Sequence, residues 1–201
     1  MTLSAPAFDA LVLAGGSARR LGGADKPMVE IGGITLLDRV VEACVTSGRV
    51  TVVGPPRPTR RPVHWVREDP PGGGPAAAVA AGLGACSREW VLVLAADLPF
   101  LDANTVHRLW TTVAETEAGA AEAPDGAVIA DADGRAQWLA AIYRRSALQA
   151  RLAAQGGGPI HGLPLRRLVE NLRLLRVTEA GHAVLDCDTW EDVAAARRIA
   201  E

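Results

Sequence analysis

The sequence is poor in features that would tie it to a membrane, a disulfide scaffold or a polyanion. Its three cysteines, Cys44, Cys86 and Cys187, lie far apart and form no CxxC pair. That spacing supplies neither a zinc pattern nor a disulfide framework, so each is read as a small buried apolar residue of a protein in a reducing cytosol. An excess of charge is lacking as well. The 21 basic and 23 acidic side chains leave a formal net charge of −2. No whole-protein field draws the chain to DNA, RNA or an anionic membrane, and any phosphate binding has to be local. The apolar stretch 10–14 is too short for a signal peptide or a membrane span, and no basic residue precedes it. Internal repeats, low-complexity tails and polar linkers are also missing.

What remains is a globular composition, with 49% hydrophobic and 22% charged residues in 201. That length accommodates one domain with a full core, expected to span 1–201. Short apolar runs alternate with helical patterns along it. Strands are predicted at 10–14, 49–53, 63–66, 90–95, 127–130, 139–143 and 172–177. Helices are predicted at 36–44, 75–85, 104–117 (capped by Asn104), 146–154 and 189–199. Loops rich in Gly and Pro fill 54–62, 70–75 and 156–164. Unalternating apolar strands separated by helices argue for a doubly wound α/β domain, its parallel sheet covered by helices on both faces.

In such sheets ligands bind beyond the carboxyl ends of the strands. The first strand runs into Leu13-Ala14-Gly15-Gly16, followed by Arg20, Gly22 and Lys26. Gly15 and Gly16 allow close backbone approach, their N–H groups can face phosphate oxygens, and Arg20 and Lys26 supply positive charge. Neither a Walker A loop nor a GxGxxG fingerprint is present. The strand at 90–95 ends in Asp97-Leu98-Pro99, which sets one carboxylate at the sheet's carboxyl edge. A lone Asp there either caps the next helix or serves as a Mg²⁺ ligand beside phosphates. The histidines His64, His107 and His182 show no ligand spacing.

The glycine loop resembles the N-terminal signature of the MobA-like nucleotidyltransferases: Leu-Ala-Gly-Gly, then an arginine, a glycine and a lysine. The Ala-Gly-Gly form, with Ala18 and Arg19-Arg20, is most similar to the molybdenum cofactor guanylyltransferase branch. The resemblance implies a Rossmann-like nucleotidyltransferase fold with a mixed, mostly parallel central sheet. The residues up to about 100 would bind nucleotide and the remainder the acceptor. It implies a cytoplasmic, Mg²⁺-dependent enzyme that moves GMP from GTP to the terminal phosphate of molybdopterin and releases pyrophosphate. Lys26, Arg20 and Asp97 would be catalytic, with Asp97 the metal ligand. Leu13, Ala14, Gly15, Gly16, Lys26, Gly54, Asp69, Gly74 and Asp97 would contact the nucleotide.

Gln137-Trp138-Leu139 and Asp186-Cys187-Asp188-Thr189 resemble the family's acceptor-side elements. Gln137, His161, Asp186 and Asp188 are therefore the acceptor candidates. Asp188 and Thr189 also suit a helix cap. His161 stands where the family often has an arginine, a departure that Arg166 or Arg167 would offset. Cytidylyl transfer, another NTP or another phosphorylated acceptor is the rival enzyme reading. A nucleotide-binding adaptor that meets molybdoenzyme-assembly proteins is the non-enzyme rival. Neither nucleic acid nor membrane is an expected partner.

Overall fold

The structure, a computed structural model, describes residues 7–16, 21–119, 122–155, 160–179 and 181–201. In chain order its elements are β1 (Phe8–Leu13), a 3-10 turn (Lys26–Met28), β2 (Glu30–Ile31), β3 (Ile34–Thr35) and α1 (Leu36–Ala43). There follow β4 (Val50–Val53), β5 (His64–Val66), α2 (Pro75–Leu83), β6 (Trp90–Ala95) and α3 (Ala103–Gly119). The chain continues through β7 (Gly126–Ala130), β8 (Ala136–Arg144), α4 (Arg145–Ala153), α5 (Leu165–Val169), β9 (Leu174–Thr178) and α6 (Trp190–Ile199).

Seven strands form one sheet in the order β5-β4-β1-β6-β8-β7-β9. β5, β4, β1 and β6 are parallel, whereas β8 runs antiparallel to both β6 and β7, and β9 is parallel to β7. The sheet is mixed and mostly parallel, as expected, with β8 running against both of its neighbours. β7 and β8 follow one another through a short turn around Asp131, with no helix between them, so they pair antiparallel.

Alternation within the buried strands explains why both faces are covered. On β1, Ala10 and Val12 face one cluster with Leu37, Val40, Val106 and Leu109, while Leu11 faces another with Ala76, Val79 and Leu83. Leu92 and Leu94 against Val91 and Val93 repeat the pattern on β6. A period of two in a strand that is apolar at every position needs helices on both sides. At the opposite end from the cleft described below, Asp9 is 2% exposed. It accepts backbone hydrogen bonds from Arg49 (2.9 Å), Ser87 (2.7 Å) and Arg88 (3.0 Å), tying the starts of β4 and β6 to β1.

Local features differ from the sequence reading, among them the helix α5, which was not expected. Asp102, not Asn104, caps α3, through Oδ1 accepting from Thr105 N at 2.8 Å. β9 starts at Leu174, two residues late, because Leu172 lies in the turn after α5. The β2–β3 hairpin was not expected. Its Gly32 and Gly33 both have positive φ, 58° and 74°, the backbone a two-residue type I′ turn requires.

Candidate functional site

The chain leaves β1 for β4 on one side and later returns to β6 on the other, so the sheet divides at β1. A cleft of about 930 Å³ lies there, at the carboxyl ends of the strands. Leu13, Ala14, Gly15 and Gly16 line it from β1, Val53 and Gly54 from β4, and Ala95, Ala96 and Asp97 from β6. Continued ladder hydrogen bonds bring these ends together, Ala14 N to Val53 O at 2.9 Å and Ala96 N to Leu13 O at 3.1 Å. Gly54 passes so close to the first loop that a Cβ there would lie 2.9 Å from Ala14 O and 3.3 Å from Gly15 N. Backbone atoms cannot swing aside as a flexible side chain does, so any side chain at this position would have to displace the first loop.

Lys26 is set by the 3-10 turn, whose second residue is the buried Pro27. Its ammonium donates to Asp97 and also to Asp188 Oδ1, the latter at 2.5 Å. Asp188 reaches it because the neighbouring Cys187 is wholly buried among Leu21, Val29, Ile31, Leu36 and Val193. That small cluster fixes the segment before α6 against the segment carrying Lys26. Thr189 completes a capping box with Asp192, accepting from Asp192 N at 3.2 Å while Thr189 N donates to Asp192 Oδ2 at 2.7 Å. With the cap supplied by Thr189, Asp188 is left to face the lysine.

The electrostatics favour a cation at this end of the cleft. Burial alone would lower the Lys26 pKa, but the fields of Asp97 and Asp188 and the hydrogen bonds to them outweigh it and raise it above the ordinary lysine value. Asp186, which reaches solvent on one side, has its carboxyl pushed up by desolvation and by the negative fields of Asp97 and Asp188, with Lys26 opposing. Three carboxylates thus crowd a single ammonium. Asp97 Oδ1 is buried and has no hydrogen-bond partner. Among the described residues no three His, Cys, Asp or Glu side chains are grouped as a metal cage. Asp97 and Asp188 fit a Mg²⁺ that draws its other ligands from water and phosphate, as that ion usually does.

Of the sequence-predicted residues, Leu13, Ala14, Gly15, Gly16, Lys26, Gly54, Gly74, Asp97 and Asp188 line the cleft. Arg20 lies outside the described residues. Asp69 is exposed and outside the lining; its neighbour Glu68 lines the cleft instead. Arg67 and Glu68 both line the cleft, and the chain bends at Asp69, which stays outside it. Glu68 Oε1 accepts from Gly72 N at 2.8 Å, and its Oε2 is buried without a partner. Gln137 is not in the lining either: its Nε2 donates to Asp131 Oδ2 at 2.9 Å, within the β7–β8 turn. Asp186 is exposed and outside the lining, two residues before Asp188. His161 is exposed next to the 72–74 turn, where Gly162 N donates to Gly73 O at 2.7 Å. Arg166 and Arg167 are exposed on α5.

Sequence reasoning missed Asp25, Arg57, Arg67, Glu68 and Leu139, all of which line the cleft. The one available signal was the run of prolines at 55, 56 and 58 around Arg57, which marks a rigid segment.

A parallel half-sheet with a glycine loop at its switch point, extended by an antiparallel strand, is the Rossmann-like fold of nucleotidyltransferases. Solved structures share it: molybdopterin-guanine dinucleotide biosynthesis protein A from Archaeoglobus fulgidus matches with a TM-score of 0.70 at 20% identity, covering 95% of this chain and 97% of that one. 2-C-methyl-D-erythritol 4-phosphate cytidylyltransferase from Thermus thermophilus matches at 0.68 and 21%, covering 96% and 98%. The family model of the MobA-like NTP transferase domain matches residues 10–177, and the chain belongs to that family. The molybdenum cofactor guanylyltransferase of Nitrobacter hamburgensis is 39% identical over 144 residues, 63% of this chain and 65% of that protein. That of Rhodopseudomonas palustris is 41% identical over 114 residues, 52% and 54%. The chain thus spans less than two thirds of the length of these curated relatives.

Proposed function

We propose that the chain transfers GMP from GTP to the terminal phosphate of molybdopterin, in its molybdenum form, with release of pyrophosphate. The observation that carries this reading is Lys26 held between Asp97 and Asp188 at the mouth of a glycine-walled cleft. The guanylyltransferase relatives supply the choice of base and acceptor.

The Gly15 and Gly16 backbone approaches the triphosphate closely, with Arg20 and Lys26 neutralising its oxygens. Asp97 and Asp188 would hold Mg²⁺, which would supply the remaining charge neutralisation of the phosphates. A phosphate monoester is already largely ionised near neutral pH, so the acceptor attacks the α-phosphorus in line without a strong general base. Positioning and charge account for the rate. The base lies against Gly54, Gly74 and Glu68, with Glu68 taking the contact that the sequence assigned to Asp69. The acceptor enters beside Asp186 and Asp188, and His161, Arg166 and Arg167 stand at the rim of the 72–74 turn. On this reading the segment up to about residue 100 carries the donor half of one domain. Three free, buried cysteines suit a cytosolic enzyme. No helix among the described residues is long and apolar enough to cross a membrane.

Pyrophosphate release tests the proposal, measured with Mg²⁺ and GTP, CTP, ATP or UTP in the presence of molybdopterin. Release with GTP is expected. Preference for CTP would reassign the reaction to cytidylyl transfer. Tight nucleotide binding with no release, whatever the acceptor, would leave a binding adaptor.

A further inference from the structure

Arg57 engages both ends of the glycine loop at once. Its Nη1 donates to Ala14 O at 3.0 Å, where the loop leaves β1. Its Nε donates to both oxygens of Asp25, at 2.8 and 2.9 Å, and Nη2 sits 2.8 Å from Asp25 Oδ1. Asp25 is the residue immediately before Lys26, so one guanidinium spans the loop from its first residue to its last. A further bond from Nη1 to Pro55 O, at 3.1 Å, anchors the same group to its own segment. The Arg57 side chain is 11% exposed, and the prolines at 56 and 58 restrict the backbone on either side of it.

We propose that Arg57 is a positioning residue for nucleotide binding, clamping the glycine loop so that Lys26 is held at a fixed distance from the end of β1. Glycines at 15, 16, 22 and 23 make this loop costly to order, since glycine loses the most conformational freedom on being fixed. A clamp formed in the free protein removes part of that cost before the nucleotide arrives. The planar fork is needed, because it must meet a carboxylate and two carbonyls together. An ammonium on a flexible stem cannot do this. With Nε, Nη1 and Nη2 already engaged, Arg57 acts through Asp25 and Lys26 rather than as another ligand of the triphosphate.

The inference rests on the cleft being the nucleotide site, and its test reads affinity rather than turnover. Calorimetry with MgGTP, and separately with MgCTP, is applied to the wild type, R57A, R57K, D25A and the R57A/D25A double variant. Thermal unfolding shows that each is folded. R57A and D25A should each weaken binding by roughly tenfold or more, the scale of a displaced positioning group. R57K should not restore it, millimolar guanidinium should partly rescue R57A, and the double variant should be no worse than R57A. Unchanged affinity in R57A, full function in R57K, or additive losses in the double variant would overturn the clamp. Failure of the guanylyl-transfer reading would appear in the pyrophosphate assay instead, with these affinities unaffected.

Discussion

Replacing Lys26 with methionine should separate two roles that its ammonium combines. The ammonium neutralises Asp97 and Asp188; under the proposed function it is also the charge offered to the triphosphate. A unit ion pair about 4 Å apart at an effective dielectric of about 20 is worth about 4 kcal/mol. Side-chain exposures of 15% for Lys26, 19% for Asp97 and 45% for Asp188 leave part of the field in water. Screening on that scale reduces the competition Lys26 poses to a divalent cation to about 2 kcal/mol. Lys26→Met, similar in length and uncharged, should therefore bind Mn²⁺ in the absence of nucleotide roughly 30-fold more tightly than wild type. Calorimetry or electron paramagnetic resonance of bound Mn²⁺ reads this directly. The same variant should lose roughly 10²-fold or more in turnover, the loss typical of removing a preorganised charge from a transition state. Tighter metal binding with slower transfer is the signature. Mn²⁺ affinity that is unchanged or weaker would refute the competition for shared carboxylates, and near-normal turnover would refute the triphosphate role.

Two further perturbations probe the scaffold around the cleft. Asp9→Ala leaves three backbone donors, of Arg49, Ser87 and Arg88, without their acceptor and should cost about 3 kcal/mol in denaturant unfolding. Burial pushes the Asp9 carboxyl up, but those three amides and the Ser87 hydroxyl outweigh it and hold it below the ordinary range. A carboxylate depressed in the folded state stabilises fully above its unfolded pKa of about 3.9 and loses that contribution as pH falls through the folded value. The gap between wild type and Asp9→Asn should thus be widest near neutrality and close in acid below about pH 4; a gap that widened in acid would contradict the assignment. Gly54→Ala places a methyl group 2.9 Å from Ala14 O and should raise the nucleotide KM by roughly tenfold or more with the fold retained, as judged by circular dichroism.

The sequence by itself determined the strand ends and the glycine loop that wall the cleft. Unbroken apolar runs at 10–14 and 90–95, alternating with helical patterns along the chain, read as strands covered on both faces, and Gly15, Gly16 and Pro99 mark the breaks that follow them. In a parallel sheet these two strand ends are neighbours, so the loop from Leu13 to Lys26 and Asp97 were legible as parts of one carboxyl edge. The antiparallel insertion of β8 was not legible from periodicity, because strand direction depends on connection length and on which edge stays open. Tertiary structure alone decided which of two adjacent acids faces inward, Glu68 rather than Asp69, since both suit the same composition. It also decided that Gln137 serves the turn at Asp131, and that Asp188 reaches Lys26 from 162 residues away because Cys187 is buried beside it. The contacts of Arg57 were hidden for the same reason. Its partners, Ala14 and Asp25, lie 43 and 32 residues back along the chain, and only the folded sheet brings them within reach of one guanidinium. Local pattern encodes where a strand ends; which side chains meet across those ends is a property of packing, and packing is set by the whole chain.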